Sequence, residues 1–180
     1  MITDYIRSDL CRYVGKDNIT LRFFLKNYFL NSGFTFSVWL RIGRFTNNRF
    51  LRLVAKVQHR RISKKNFLDI PIKTEIGYGL YIGHGKSVVV NPTAKIGNNV
   101  NLSQFVTIGA NHGQAAHIGN NVYIGPNVCI VEDVKIGDNV KIGAGAVVTK
   151  DIPENAICAG VPAKVFRIDT NPNSYVNRRW

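Results

Sequence analysis

Between Ile70 and Val148 an aliphatic residue returns at almost every sixth position, and the positions between are mostly polar or small. Five units follow one another without a gap: Ile118-Gly-Asn-Asn-Val-Tyr, Ile124-Gly-Pro-Asn-Val-Cys, Ile130-Val-Glu-Asp-Val-Lys, Ile136-Gly-Asp-Asn-Val-Lys and Ile142-Gly-Ala-Gly-Ala-Val. A helix repeats its buried face every 3.6 residues and a strand every two, so neither produces a period of six. Six residues do supply one flat side and one corner of a three-sided prism of stacked parallel strands. The first position points inward. The second, mostly Gly, is expected to let the backbone turn tightly, because Gly tolerates dihedrals that a Cβ forbids. Asn, Asp or Gly then occupies the corner, and Val at the fifth position fills the interior again. First positions at 70, 76, 82, 90, 96, 102, 108, 118, 124, 130, 136, 142 and 148 predict about four coils, each rising roughly 4.8 Å.

The spacing fails twice. Two extra residues lie between Ile82 and Val90, directly after His84, and four lie between Ile108 and Ile118, within Ala110-Asn-His-Gly-Gln-Ala-Ala-His117. A stacked repeat accepts insertions only as corner loops, and such loops usually carry function. Three of the four histidines stand at or beside these breaks.

Ahead of the repeat the apolar spacing changes to that of helices. Ile2, Tyr5, Ile6, Leu10, Tyr13 and Val14 form one set. Leu21, Phe24, Leu25, Tyr28 and Phe29 form a second, ended by Asn31 and Gly33. A third runs through Phe34, Phe36, Trp39, Leu40 and Ile42 to a break at Asn47-Asn48. The span 49–62 reads as a basic amphipathic helix with Phe50, Val54 and Val57 on one side. The chain thus divides into a basic helical region over 1–68, a mainly β prism over 69–158, and a loop and tail over 159–180.

Charge follows the same division. The net charge is +13, and residues 1–65 contribute +11 of it from 14 Lys or Arg against Asp4, Asp9 and Asp17. Helices covering the open end of the prism would explain this third. A basic surface docked on the inner leaflet of a membrane is the second reading. Nucleic acid is not expected, since no recognition motif accompanies the charge. Three cysteines (Cys11, Cys129, Cys158) in no metal-ligand spacing are expected to be small hydrophobes in a reducing cytoplasm. No signal peptide and no apolar run near the roughly 20 residues of a membrane span are expected.

Several motifs resemble the hexapeptide acyltransferases, which fold as a left-handed parallel β-helix, and within them the serine acetyltransferases and polysaccharide O-acetyltransferases. The resemblance covers about 66–168. It rests on Asp69-Ile-Pro-Ile-Lys-Thr-Glu-Ile-Gly-Tyr-Gly-Leu-Tyr-Ile-Gly-His84, on Val88-Val-Val, on Leu102-Ser-Gln-Phe-Val-Thr-Ile-Gly109 and on Ala159-Gly-Val-Pro-Ala-Lys164. The handedness comes from the family, since parallel crossovers are generally right-handed. The resemblance implies a homotrimer with ligands between subunits and acetyl-CoA as acyl donor. His84 would be the general base, because an alcohol attacking a thioester near neutrality needs one. Asp69 would orient the imidazole. Ala144 and Gly145 would let the pantetheine arm approach, with Lys141, Lys164 and Arg167 either on the CoA phosphates or solvated.

Two departures bear on the acceptor. The serine enzymes usually carry Asp before the catalytic His, where this chain has Gly83. Their longer loop carries an Arg-His pair, where this one has Asn111, His112, Gln114 and His117 and no Arg. A site without ionic partners for an amino acid is better suited to a sugar hydroxyl. The expectation is therefore O-acetylation of a surface polysaccharide or its precursor. His112 and His117 would line the acceptor pocket or face solvent. Serine acetylation and a non-catalytic scaffold are the alternatives. No metal is expected, because the histidines do not fall at one repeat spacing.

Overall fold

A computed structural model describes residues 1–171 and 174–180. From Leu68 onward the chain winds a three-sided parallel prism. The first face stacks β1 (Leu68–Asp69), β4 (Val88–Val90), β7 (Thr107–Gly109), β10 (Cys129–Val131) and β13 (Val147–Val148). The second stacks β2 (Glu75–Ile76), β5 (Lys95–Ile96), β8 (His117–Ile118) and β11 (Lys135–Ile136). The third stacks β3 (Tyr81–Ile82), β6 (Asn101–Leu102), β9 (Tyr123–Ile124), β12 (Lys141–Ile142) and β14 (Ala156–Ala159), with β15 (Lys164–Ile168) antiparallel at its end. Five strands on the first face make about five turns, where the repeat count predicts about four. The difference arises past Val148, where Ile152 follows after four residues instead of six and Cys158 six residues later, extending the interior by a further turn.

Every first-position aliphatic of the repeat lies in one buried cluster. The reason for Gly at the second position is different from the expected one. Those glycines keep ordinary dihedrals, and the left-handed residue is the Asn at position four: Asn99, Asn121, Asn139 and Asn155 all have φ between 56° and 59°. At most of these positions, Gly83 and Gly109 excepted, Gly is required by the closeness of the next coil. A Cβ at Gly97 would sit 2.6 Å from the Gly119 carbonyl oxygen, and one at Gly119 would sit 2.4 Å from Asp138. The four asparagines join side chain to side chain along this corner at 3.1, 3.2 and 3.0 Å.

Four helices precede the prism: α1 (Ile2–Val14), α2 (Leu21–Leu30), α3 (Ser32–Phe45) and α4 (Arg49–Asn66). Gly33 does not end α2. It lies in the first turn of α3, where a Cβ would come 2.3 Å from the Ile82 carbonyl oxygen. In α4 the side holding Phe50 and Val57 faces water, at 76% and 57% exposure, while Ala55 is buried. The apolar spacing identified the helix but not the side that packs, because α4 docks through Ala55, His59, Ile62 and Asn66.

What the helices do follows from where the prism's hydrogen bonds stop. Successive coils exchange hydrogen bonds in both directions: Gly77 and Gly97 donate forward to the Ile96 and Ile118 carbonyls, while Asn99 and Asn121 donate back to those of Tyr78 and Asn98. The first-coil carbonyls that point away from the second coil have no coil to serve them, and a buried carbonyl left alone is costly. The helices supply the donors. Arg41 reaches the Ile76 and Gly77 carbonyls at 2.7 and 2.6 Å, and Arg12 reaches that of Gly79 at 3.0 Å. The Tyr13 hydroxyl donates to Ile82 at 3.3 Å, and Ser32 Oγ to Gly85 at 3.1 Å. His59 Nε2 lies 3.0 Å from the Ile70 carbonyl oxygen. Buried Asp9 balances Arg41 through two 3.0 Å bonds and also accepts the Leu80 N–H.

Candidate active site

The interruption after Ile82 forms the corner between the third and first faces. Cα partners lie eighteen residues apart where the repeat is intact (Val89 with Thr107), twenty across this corner (Leu68 with Val88), and twenty-two across the 110–117 loop (Thr107 with Cys129). The two insertions are thus corner loops, as their spacing implies. His84 is exposed and left-handed (φ 61°), followed by Gly85 (φ 57°) and Ser87 (φ 50°). His84 and Ser87, two non-glycine residues held left-handed within four positions, are strained, and such strain persists only where surroundings impose it.

Here three helices impose it. Tyr13 of α1 and Ser32 of α3 bind the carbonyls on either side of His84, those of Ile82 and Gly85. The Asn66 carbonyl, at the end of α4, accepts the Ser87 N–H at 2.9 Å. Gly85 presses on α3 so closely that a Cβ would meet the Gly33 nitrogen at 2.3 Å. Tyr13, Ser32, Gly33, Gly85 and Asn66 are positioning residues that the repeat could not reveal. The Gly33 and Gly85 pair, each beside a break in pattern, is the one signal of them in the sequence.

Asp69 stands on the outward side of the first face, beside Val89 in register. Among the described residues no hydrogen bond joins it to His84; its charge instead acts on His59, which packs 4.7 Å from the Phe36 ring. Burial lowers the His59 pKa, with the Ile70 carbonyl and Asp69 opposing in part. Gly83 needs no glycine for steric reasons. A Cβ there would meet only Tyr81 at 3.4 Å and the Leu102 carbonyl oxygen at 3.8 Å.

The edge that carries His84 also carries Ala144 and Gly145, three coils further along. Both are exposed, Gly145 has φ 71°, and nothing lies within 4 Å of where its Cβ would be. At roughly 4.8 Å per coil, about 14 Å separates the two corners along the prism. Lys164, opposite Ala159, is exposed near the same edge, whereas Arg167 lies opposite Ile157 across the third face. Lys141 is a correction. It is buried, and its Nζ is held by the Asp169 carboxylate, the Ser174 hydroxyl and, at 2.9 Å, the Asn171 carbonyl. The tail has taken this cation, so it is not free for a CoA phosphate.

The other insertion lies on a different edge, between the first and second faces. Asn111 and His112 donate their backbone N–H groups to the Glu132 carboxylate at 3.2 and 3.4 Å, and the side chains of Asn111, His112 and Gln114 are exposed. His117 leaves the loop and enters β8 between Lys95 and Lys135, lining an open groove of about 960 Å³ along the second face. One chain therefore does not gather Gly83, Asn111, His112, Gln114 and His117 into a single acceptor pocket. Burial raises the pKa of the Cys11 thiol, and raises that of Cys158 to about 11. Among the described residues no three His, Cys, Asp or Glu side chains cluster as metal ligands would.

Known proteins resemble both the repeat and the whole architecture. The family described as "Bacterial transferase hexapeptide (six repeats)" matches residues 115–150. Serine acetyltransferase 2 of Arabidopsis thaliana is 30% identical over 176 residues, 93% of this chain and 53% of that protein. The Escherichia coli K12 serine acetyltransferase is 35% identical over 129 residues, 69% of this chain and 47% of that one. The chain thus spans about half the length of these curated relatives. The structure of Neisseria gonorrhoeae serine acetyltransferase in complex with serine superposes with a TM-score of 0.76 at 32% identity, covering 91% of this chain and 68% of that one. The prism is accordingly a left-handed β-helix.

Proposed function

We propose that this chain, which belongs to the hexapeptide-repeat family of left-handed β-helix acyltransferases, is an acetyl-CoA-dependent O-acetyltransferase with His84 as its general base. The observation that carries the proposal is the His84 corner, strained, exposed and clamped from three helices on the edge that holds the open Ala144–Gly145 corner. His84 takes the proton of an acceptor hydroxyl as the oxygen attacks the thioester carbonyl. The tetrahedral oxyanion then collapses to the acetyl ester, and the departing CoA thiolate takes the proton from the imidazolium. No acyl-enzyme forms. Asp69 is the carboxylate proposed to turn toward the imidazolium, since within one chain no hydrogen bond joins it to His84 among the described residues.

The relatives favour serine as acceptor over the polysaccharide hydroxyl expected from the motifs: those compared here are serine acetyltransferases, one of them solved with serine bound. A specific feature keeps a second acceptor in play. Position 83 has room for a side chain yet holds Gly, and the 110–117 loop holds no Arg, so one chain offers no ion pair to an amino acid at either place. An uncharged sugar hydroxyl would need none. A homotrimer fits either acceptor, because the loop edge of one subunit can then meet the His84 edge of the next.

Thiol release from acetyl-CoA, measured with L-serine and with a panel of nucleotide sugars and glycans, decides between them. Serine turnover at millimolar substrate that vanishes in His84→Ala supports the serine reading. Turnover with a glycan alone supports the second, and Gly83→Asp should then raise activity toward serine. Failure of every acceptor would remove the catalytic reading and leave a scaffold.

A further inference from the structure

Two helices of the amino-terminal third turn large apolar side chains to water. On α2 these are Leu21, Leu25 and Phe29, one turn apart; on α4 they are Phe50, Leu53 and Val57. Phe29 and Phe50 are 77% and 76% exposed. Cations flank both stripes: Arg22 and Lys26 follow Leu21 and Leu25, and Arg49, Arg52 and Lys56 precede Phe50, Leu53 and Val57. Between the carboxyl-terminal halves of the helices runs a groove of about 580 Å³, floored by Thr35 and Trp39 of α3 and rimmed by Arg61, Lys65 and Lys86. From Asp17 to Asp69 no carboxylate occurs.

We infer that the α2–α4 face docks on an anionic bilayer surface. Apolar side chains between cations suit the headgroup boundary, where the chains enter and the charges meet phosphates. Charge decides among the possible occupants. A second copy would bring the same uninterrupted positive charge against itself, whereas an anionic leaflet complements it. Nucleic acid would meet the cations and could stack on Phe29 and Phe50, but it would leave the aliphatic Leu21, Leu25, Leu53 and Val57 in water, which a bilayer boundary would not. The docking face is built from α2 and α4 and not from α3, whose Phe34, Phe36 and Leu40 are interior. Among the described residues no helix is long and apolar enough to cross a membrane, so the contact is peripheral.

Sedimentation of the full chain with vesicles tests this, using phosphatidylcholine alone or phosphatidylcholine mixed with phosphatidylglycerol. The protein should pellet with the anionic vesicles at low salt, return to the supernatant as salt rises, and ignore the neutral ones. Phe50→Ser with Leu53→Ser should weaken the binding about tenfold or more. Arg49→Gln with Arg52→Gln and Lys56→Gln should weaken it about as much and flatten its salt dependence. None of these residues touches the His84 corner, so acetyl transfer to a soluble acceptor stays intact, and failure of either proposal is visible without the other. Equal recovery with neutral and anionic vesicles would overturn the inference. So would concentration-dependent self-association abolished by Phe50→Ser and Leu53→Ser, which would assign the face to a second copy.

Discussion

The prism and the helical third satisfy the same backbone in opposite ways. In the prism each coil is the hydrogen-bonding partner of the next, so one six-residue rule, applied repeatedly, fills the interior and occupies the ladders. The helices meet that ladder where it stops. There the outward carbonyls need donors from elsewhere: Arg41 answers two, and Arg12, Tyr13, Ser32 and His59 one each. A repeat can be interrupted cheaply at any corner, whereas a cap of single-use contacts cannot. The His84 corner sits where the two kinds of region meet. It is an insertion of the prism, held in a strained shape by the cap.

The largest expected effect tests the chemistry at that meeting point. His84→Ala should lower kcat about a hundredfold to ten-thousandfold, the range for losing a general base, with little change in CoA binding. Asp69→Asn should lower the same parameter by less. Near-normal turnover in His84→Ala would leave the corner as architecture alone.

The cap itself should break at its buried charge. Arg41→Leu strands Asp9 and two first-coil carbonyls, and should cost about 3–5 kcal/mol in denaturant unfolding. By contrast, Lys56→Gln on the outer side of α4 should stay within about 0.5 kcal/mol. Equal losses at the two positions would erase the distinction between capping cations and surface cations.

Gly85→Ala sharpens the link between cap and site. The new methyl group would collide with α3 at a left-handed residue, so kcat should fall although no reacting group is removed. The conservative variant Ser32→Ala removes only the bond to the Gly85 carbonyl and should give a smaller loss in kcat with KM for acetyl-CoA preserved. An unchanged kcat in a folded Gly85→Ala protein would show that the clamp does not position His84.

The smallest expected effect is a pH dependence. Burial holds His59 below its usual value near 6.5, so the unfolded chain binds that proton more readily than the folded one. His59 therefore adds stability that is complete above about pH 6.5 and is lost as the pH falls through the window between the unfolded and folded values. Thermal midpoints should drop from pH 7.5 to 5.5, and His59→Gln should flatten the slope. An identical slope in that variant would place the titration elsewhere.

The prism was legible because its rule is local: Ile118 to Val148 announces an interior residue every six positions, and every one of those first positions is buried. The same locality made both insertions visible, together with His84 and the open corner at Ala144–Gly145. Reading failed where a residue's role depends on a distant partner. Lys141 looks like an exposed cation beside a small corner, yet Asp169 and Ser174 bury it. Gly83 and His112 stand on different edges of one chain, and only a second subunit could bring them together, which no local pattern specifies.

By itself, then, the sequence determined a six-residue prism, its two interruptions, and a basic helical region ahead of it, since each follows from side-chain periodicity and charge counted along the chain. Only the tertiary structure decided that Arg12 and Arg41 are capping groups while Arg49 and Lys56 face water, that Gly33 and Gly85 lock the His84 corner, and which side of α4 is left bare. Those outcomes turn on where a hydrogen-bond ladder ends and what happens to lie there, and no local pattern encodes the end of a ladder.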